Sequence, residues 1–230
     1  MNHCLWCQEA LDHTYTFFEL LVYDRPQSPI CDFCRSQLDS LKETIHCEGC
    51  GRKQAHSSYC SDCLEWAKVY PNKNFHHTAL FTYNAFAKEY MEKFKILGDC
   101  ELAGLLSRDL YGACKEKGKE ALFVPIPISD RSREARGFNQ SELLLQKAHI
   151  PYMRLLKNQS KEEKQSKKDK RERMATAQPF EVDAEGISIL SGKKVVIVDD
   201  IYTTGRTLFH ASDSLRPYGP STIETLSLFR

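Results

Sequence analysis

One run of thirteen residues leaves this chain few folds to choose from: Val195-Val196-Ile197-Val198-Asp199-Asp200-Ile201-Tyr202-Thr203-Thr204-Gly205-Arg206-Thr207. Four β-branched apolar residues in succession suit a strand buried on both faces of a parallel sheet. Two acids follow where that strand should reach the surface. After a short hydroxyl-rich loop, Leu208 to Leu215 carries apolar residues at helical spacing. A strand, an acidic pair, a small loop and a helix make an anion site, because loop N–H groups and the helix N-terminus point at the same place. Gly205 permits close backbone approach, and Thr203, Thr204 and Thr207 add hydroxyl donors. The paired carboxylates suit the vicinal hydroxyls of a ribose, or a Mg²⁺ ion held partly through water.

The second constraint is cysteine. Eight of the ten cysteines fall within the first 63 residues, all in Cys-x-x-Cys pairs: Cys4/Cys7, Cys31/Cys34, Cys47/Cys50 and Cys60/Cys63. Such a knuckle sets two thiolates on one side of a tight turn, spaced for tetrahedral zinc, and two knuckles complete a Cys₄ site. Four knuckles without a surrounding βαβ pattern point to two structural Zn²⁺ sites, a double zinc ribbon, rather than to redox chemistry. Chain order suggests Cys4, Cys7, Cys31 and Cys34 in one site and Cys47, Cys50, Cys60 and Cys63 in the other; an interleaved pairing, first pair with third, stays open on the spacing alone. A segment this short buries little apolar surface, so metal would supply much of its folding energy. Trp6, Phe33, Tyr59 and Trp66 read either as a miniature core or as a stacking surface for unpaired bases.

The 230 residues suffice for one ordinary domain and a small one. We expect a double zinc-ribbon module over 1–70 and an α/β domain over 71–230, with the boundary at Pro71-Asn72-Lys73-Asn74. A net charge of +1 announces no nucleic-acid partner by itself. No apolar run reaches the length of a membrane span, and the first residues lack signal-peptide character, so a cytoplasmic location is expected.

Within the second region, strands are expected near 75–83, 121–125 and 222–229, with helices near 85–97, 100–115 and 140–148. Alternation of this kind gives a mainly parallel sheet flanked by helices. Arg131, Arg133 and Arg136 cluster in an expected loop past the strand ending at Pro125, where open α/β sheets bind ligands, and their forks match phosphate oxygens. From 154 to 180 the composition turns basic. Between Arg154 and Arg173 there are nine Lys or Arg against four Asp or Glu, which suits a long mobile insert, either a passive connection or a lid over a polyanion. Lys164, Lys167, Lys168, Lys170 and Arg173 are its candidate nucleic-acid contacts.

The thirteen-residue run resembles the phosphoribosyl-pyrophosphate (PRPP) signature of type I phosphoribosyltransferases. That resemblance implies a transferase-like fold, with Asp199 and Asp200 on the ribose hydroxyls and Thr203, Thr204, Gly205, Arg206 and Thr207 around the 5′-phosphate. It also implies Mg²⁺ shared with PRPP, and a loop carrying Arg131, Arg133 and Arg136 near the pyrophosphate. The cysteine knuckles, Lys95 with Gly98-Asp99, and Arg136-Gly137-Phe138-Asn139-Gln140 come in the order found in the ComF family of late competence proteins, ComFC type, over nearly the whole chain. That similarity implies a role in natural transformation, in the uptake of single-stranded DNA across the inner membrane, with a helicase-like ATPase as partner. The alternative is an active phosphoribosyltransferase with an unidentified acceptor. Thr203 stands where 6-oxopurine transferases carry an acid that serves as general base, so the resemblance supplies a donor site and no catalytic residue.

Overall fold

The computed structural model describes residues 3–11, 29–70, 76–159 and 178–230. Its elements, in chain order, are α1 (Asp32–Ser36), α2 (Ser61–Val69), β1 (His77–Phe81), α3 (Ala85–Met91), α4 (Ser107–Glu116), β2 (Leu122–Pro125), α5 (Asp130–Arg136) and α6 (Gln140–Lys147). There follow β3 (Leu156–Asn158), β4 (Phe180–Val182), α7 (Ile187–Leu190), β5 (Lys194–Ile201), α8 (Arg206–Leu215) and β6 (Thr222–Phe229). A π-helical turn, Glu92–Ile96, continues α3, and a 3₁₀ turn, Cys100–Gly104, precedes α4. The two helices expected near 85–97 and 100–115 are therefore each broken into two pieces.

Four strands form an all-parallel sheet in the order β1-β6-β5-β2. Val195 to Val198 are at most 1% exposed, as a strand covered on both faces requires. Val196 and Val198 join a core with Tyr90, Phe94, Leu110 and Leu144. Val195 and Ile197 face the other way, into a core with Leu208, Leu215, Leu155 and Phe180. This is the period-2 alternation of a strand resolved into two packing layers.

Two features depart from the expectations above. Residues 130–136 are helical: Ser129 caps them by accepting from the Ser132 N–H, and Gly137 ends the turn at φ +80°. A short antiparallel ribbon, β3 with β4, has Lys157 opposite Glu181. Lys164, Lys167, Lys168, Lys170 and Arg173, and the boundary at 71–74, lie outside the described residues.

The cysteine-bearing segments pack directly on the sheet. Leu41 N–H donates to Leu80 O, Thr82 N–H to Asp39 O and His77 N–H to Gly49 O, which covers much of the outer edge of β1. Trp6 lies 4.5 Å from Phe86, ring centre to ring centre, and Trp66 stacks on Phe209 at 4.4 Å. Both indoles serve the cores of the sheet, whereas Phe33 and Tyr59 stay exposed. No described helix is long and apolar enough to cross a membrane.

Candidate functional site

The site is built where β5 ends. Asp200 is 4% exposed, so the acids do not stand side by side at the surface. Its Oδ2 accepts from Lys95 Nζ at 2.8 Å, and Oδ1 from the Ile201 N–H at 2.9 Å. Lys95 reaches it from the π-helical turn after α3. Asp199 is half-buried and turned towards α6: its Oδ1 accepts from the Asp200 N–H at 2.9 Å and from Ser141 Oγ at 3.5 Å.

The two carboxylates are therefore unequal. Asp200 has an ammonium partner. Asp199 is pushed up to about 8, by burial first and by the neighbouring Asp200 charge second, and Lys95 offsets only part of this. A carboxylate left short of positive charge in this way fits a divalent cation or a set of hydroxyl donors. The acidic pair is thus chemically suited to Mg²⁺, with Asp199 the more dependent on it.

Beyond β5 the chain turns through Tyr202 to Gly205 into α8. Thr203 and Thr207 are exposed, Thr204 and Arg206 half-buried and Gly205 buried. Gly205 adopts φ +80°, and a Cβ there would overlap the Tyr202 ring, so glycine is required by both conformation and space. The Arg206 Nε–H donates to His210 Nε2 at 3.0 Å, one turn along α8.

All three arginines lie on α5, and two of them share a cleft. Arg131 and Arg133 line a cleft of about 760 Å³ at the end of β2, with Arg154 and Lys157. There Arg154 pairs with Glu142 at 2.7 Å and Arg133 approaches the same carboxylate at 3.8 Å. Asp199, Asp200 and residues 203–207 are not among the lining residues. A larger cavity, about 990 Å³, runs along β1 at the opposite edge of the sheet and contains none of the candidate PRPP residues.

Eight thiols gather in two groups, Cys4, Cys7, Cys31 and Cys34, and Cys47, Cys50, Cys60 and Cys63. Within each group the sulfurs lie within 4.8 Å of one another. Cys47–Cys63 and Cys50–Cys60 are each 3.6 Å apart, as is Cys7–Cys31. A tetrahedron of thiolates at about 2.3 Å from a zinc ion has edges of about 3.8 Å, so both groups could hold such an ion with little adjustment. The pairing follows chain order. Cys50 is drawn down, chiefly by the Cys63 thiol and also by Arg230, against burial.

Sequence reasoning did not foresee Ser141, Trp66 and Arg230 as neighbours of the site. Each is brought there by tertiary packing, across 58 residues from Ser141 to Asp199 and 138 from Trp66 to Thr204.

Residues 134–230 match the family model described as phosphoribosyl transferase domain, a span that contains β5, the loop and α8. Over 231 residues the chain is 35% identical to "Competence protein ComFC" of Streptococcus pneumoniae, covering 99% of both. It is 32% identical over 239 residues to "Competence protein ComFC" of Bacillus subtilis, covering 99% of this chain and 94% of that one. "Competence protein F" of Haemophilus influenzae is 26% identical over 221 residues, 87% of this chain and 90% of that one. The first two matches take in the cysteine segments as well as the sheet.

Proposed function

The chain belongs to the ComFC family of competence proteins, and from that premise we propose that it binds a PRPP-type ligand while serving DNA uptake in natural transformation. The observation that carries the ligand reading is the acidic pair at the end of β5, followed by the 203–207 turn into α8, inside the span matching a phosphoribosyl transferase domain. Asp199 and Asp200 would accept from the ribose hydroxyls. Thr203, Thr204, Gly205, Arg206 and Thr207 would surround the 5′-phosphate, which the α8 N-terminus favours electrostatically. Mg²⁺ would be held through Asp199 and Asp200 and supply positive charge to the pyrophosphate. Arg131, Arg133 and Arg136 would answer the rest of that charge, with Arg131 and Arg133 on one cleft.

Zinc fits both sulfur groups and would have a structural task, since four thiolates leave no open coordination position. Two zinc ions per chain are the expected elemental analysis of reduced protein. Single-stranded DNA is the expected polyanion, with Lys164, Lys167, Lys168, Lys170 and Arg173 as contacts and a helicase-like ATPase as partner. Neutralising the four lysines should flatten the salt dependence of binding, because a phosphate that is no longer neutralised keeps its condensed counterions.

The deciding measurement is titration with PRPP, with and without Mg²⁺, on the parent and on Asp199→Asn/Asp200→Asn. Loss of both charges should weaken binding by about 2–4 kcal/mol. Native affinity in the double variant would reject the site. A screen for pyrophosphate release over nucleobases addresses turnover: release with any base makes the chain a transferase, and binding without release makes PRPP an effector.

A further inference from the structure

Two carbonyls of the 203–207 turn are held from outside it, and both holders lead back to the second cysteine group. Arg230 Nη1 donates to Thr203 O at 3.2 Å, while its Nη2 donates to Cys50 Sγ at 3.3 Å. The same guanidinium lies 4.6 Å from the centre of the Tyr202 ring, the ring that occupies the space beside Gly205. Trp66 Nε1 donates to Thr204 O at 2.7 Å. Trp66 belongs to α2, which begins one residue after Cys60 and carries Cys63.

A third path runs through His77. Its N–H donates to the carbonyl of Gly49, inside the Cys47–Cys50 knuckle, and its ring lies 4.4 Å from that of Tyr202. The imidazole is 3% exposed and bonded on both nitrogens, to Thr225 Oγ1 at 2.9 Å and Ser227 Oγ at 3.0 Å, so it cannot swing away cheaply.

In a trans peptide the C=O and the following N–H point in opposite directions. With the Thr203 and Thr204 carbonyls turned towards Arg230 and Trp66, the N–H groups of Thr204 and Gly205 are turned away from those donors. An anion loop needs that arrangement, with carbonyls tied behind and donors left in front. We propose that the Cys47/Cys50/Cys60/Cys63 centre is the rear support of this loop, and that Arg230 and Trp66 are positioning residues that transmit metal binding to the loop's anion affinity. This rests on the reading of 203–207 as a phosphate loop. Metal in this centre would fix the knuckles and α2, and with them the two donors; the Cys4/Cys7/Cys31/Cys34 centre makes no such contact among the described residues.

The test uses full-length, metal-loaded protein. Cysteine variants risk unfolding, so the informative variant is Trp66→Phe/Arg230→Lys. Phenylalanine keeps a ring against Phe209 and lysine keeps the charge, while the indole donor to Thr204 O and the guanidinium fork that bridges Thr203 O to Cys50 Sγ are both removed. Trp6→Phe is the control. We expect zinc content to be unchanged, backbone hydrogen exchange over 203–207 to accelerate about tenfold, and Mg²⁺–PRPP affinity by calorimetry to fall by about the same factor, from the lost indole bond and the broken guanidinium bridge. Parent-like exchange in the double variant overturns the support role. Faster exchange with undiminished PRPP affinity overturns the link to binding. Faster exchange in a chain whose parent form binds no PRPP upholds the support and rejects the ligand reading instead.

Discussion

The two cysteine groups have the same ligands and different surroundings. In the first, Cys7 is exposed and Cys31 half-buried, and the group meets the rest of the molecule through Leu5 and Trp6 on the flank of α3 and through Arg35, which pairs with Asp109 of α4. In the second, all four cysteines are buried, in the same core as Val195 and Ile197. A Cys-x-x-Cys knuckle specifies what can be bound; what the bound metal supports is decided by the residues that pack around it. The first group also reaches the acidic pair, but by a longer route: Lys93 lies over Trp6 at 4.1 Å, and the same π-helical turn carries Lys95 to Asp200.

The contrast is broken or upheld most forcefully by single ligand loss. Cys50→Ser should cost more than about 4 kcal/mol, since it removes a metal ligand and opens a buried core together. Cys7→Ser should cost clearly less. Chemical denaturation followed by tryptophan fluorescence compares them, and equal losses would erase the distinction. A smaller effect is expected at Lys95. Replacing it with Met leaves Asp200 buried without its cation, at a cost of about 2 kcal/mol once the partial exposure of Lys95 is allowed for. Both metals should remain; release of the first would mean that the acidic pair and that centre form one unit.

The smallest effect belongs to a position remote from both. Burial raises the Glu224 carboxyl, but bonds from Lys194 and Lys117, at 2.6 and 2.9 Å, outweigh it and hold the group below its ordinary range. A depressed acid contributes stability above its unfolded pKa and loses it as pH falls through the folded one. Glu224→Gln should therefore cost about 1 kcal/mol at pH 7, with the gap to the parent closing below about pH 4. Urea unfolding across that range checks it, and a gap that persists in acid would rule out the ion pairs as its cause.

What could be read beforehand was local. The Val195–Val198 run, the four knuckles and the strand at 222–229 each announce themselves within a dozen residues. The helix over 130–136 did not, because its charged residues give no apolar stripe, although Ser129 and Gly137 stood at its ends as caps. The β3–β4 ribbon was hidden for a different reason: its strands have three residues each and 21 residues between them. The bonds that tie the site together were beyond reach in principle. Lys95 to Asp200 spans 105 positions and Arg230 to Cys50 spans 180, and no periodicity carries information over such separations.

The order of strands has a consequence for synthesis. β6 is translated after β1 and β5 yet lies between them, with His77 paired to Thr225 and Ile197 paired to the same residue from the other side. Until residues 222–229 emerge from the ribosome, β5 has a bare inner edge and two apolar faces, and β1 has no neighbour in the sheet. The nascent chain must therefore carry a finished knuckle region beside an unfinished sheet, a state in which open strand edges invite pairing with other chains. Any stop codon between Tyr202 and Thr222 would make that state permanent, and the expected product is an aggregate that still holds its thiols in two groups of four.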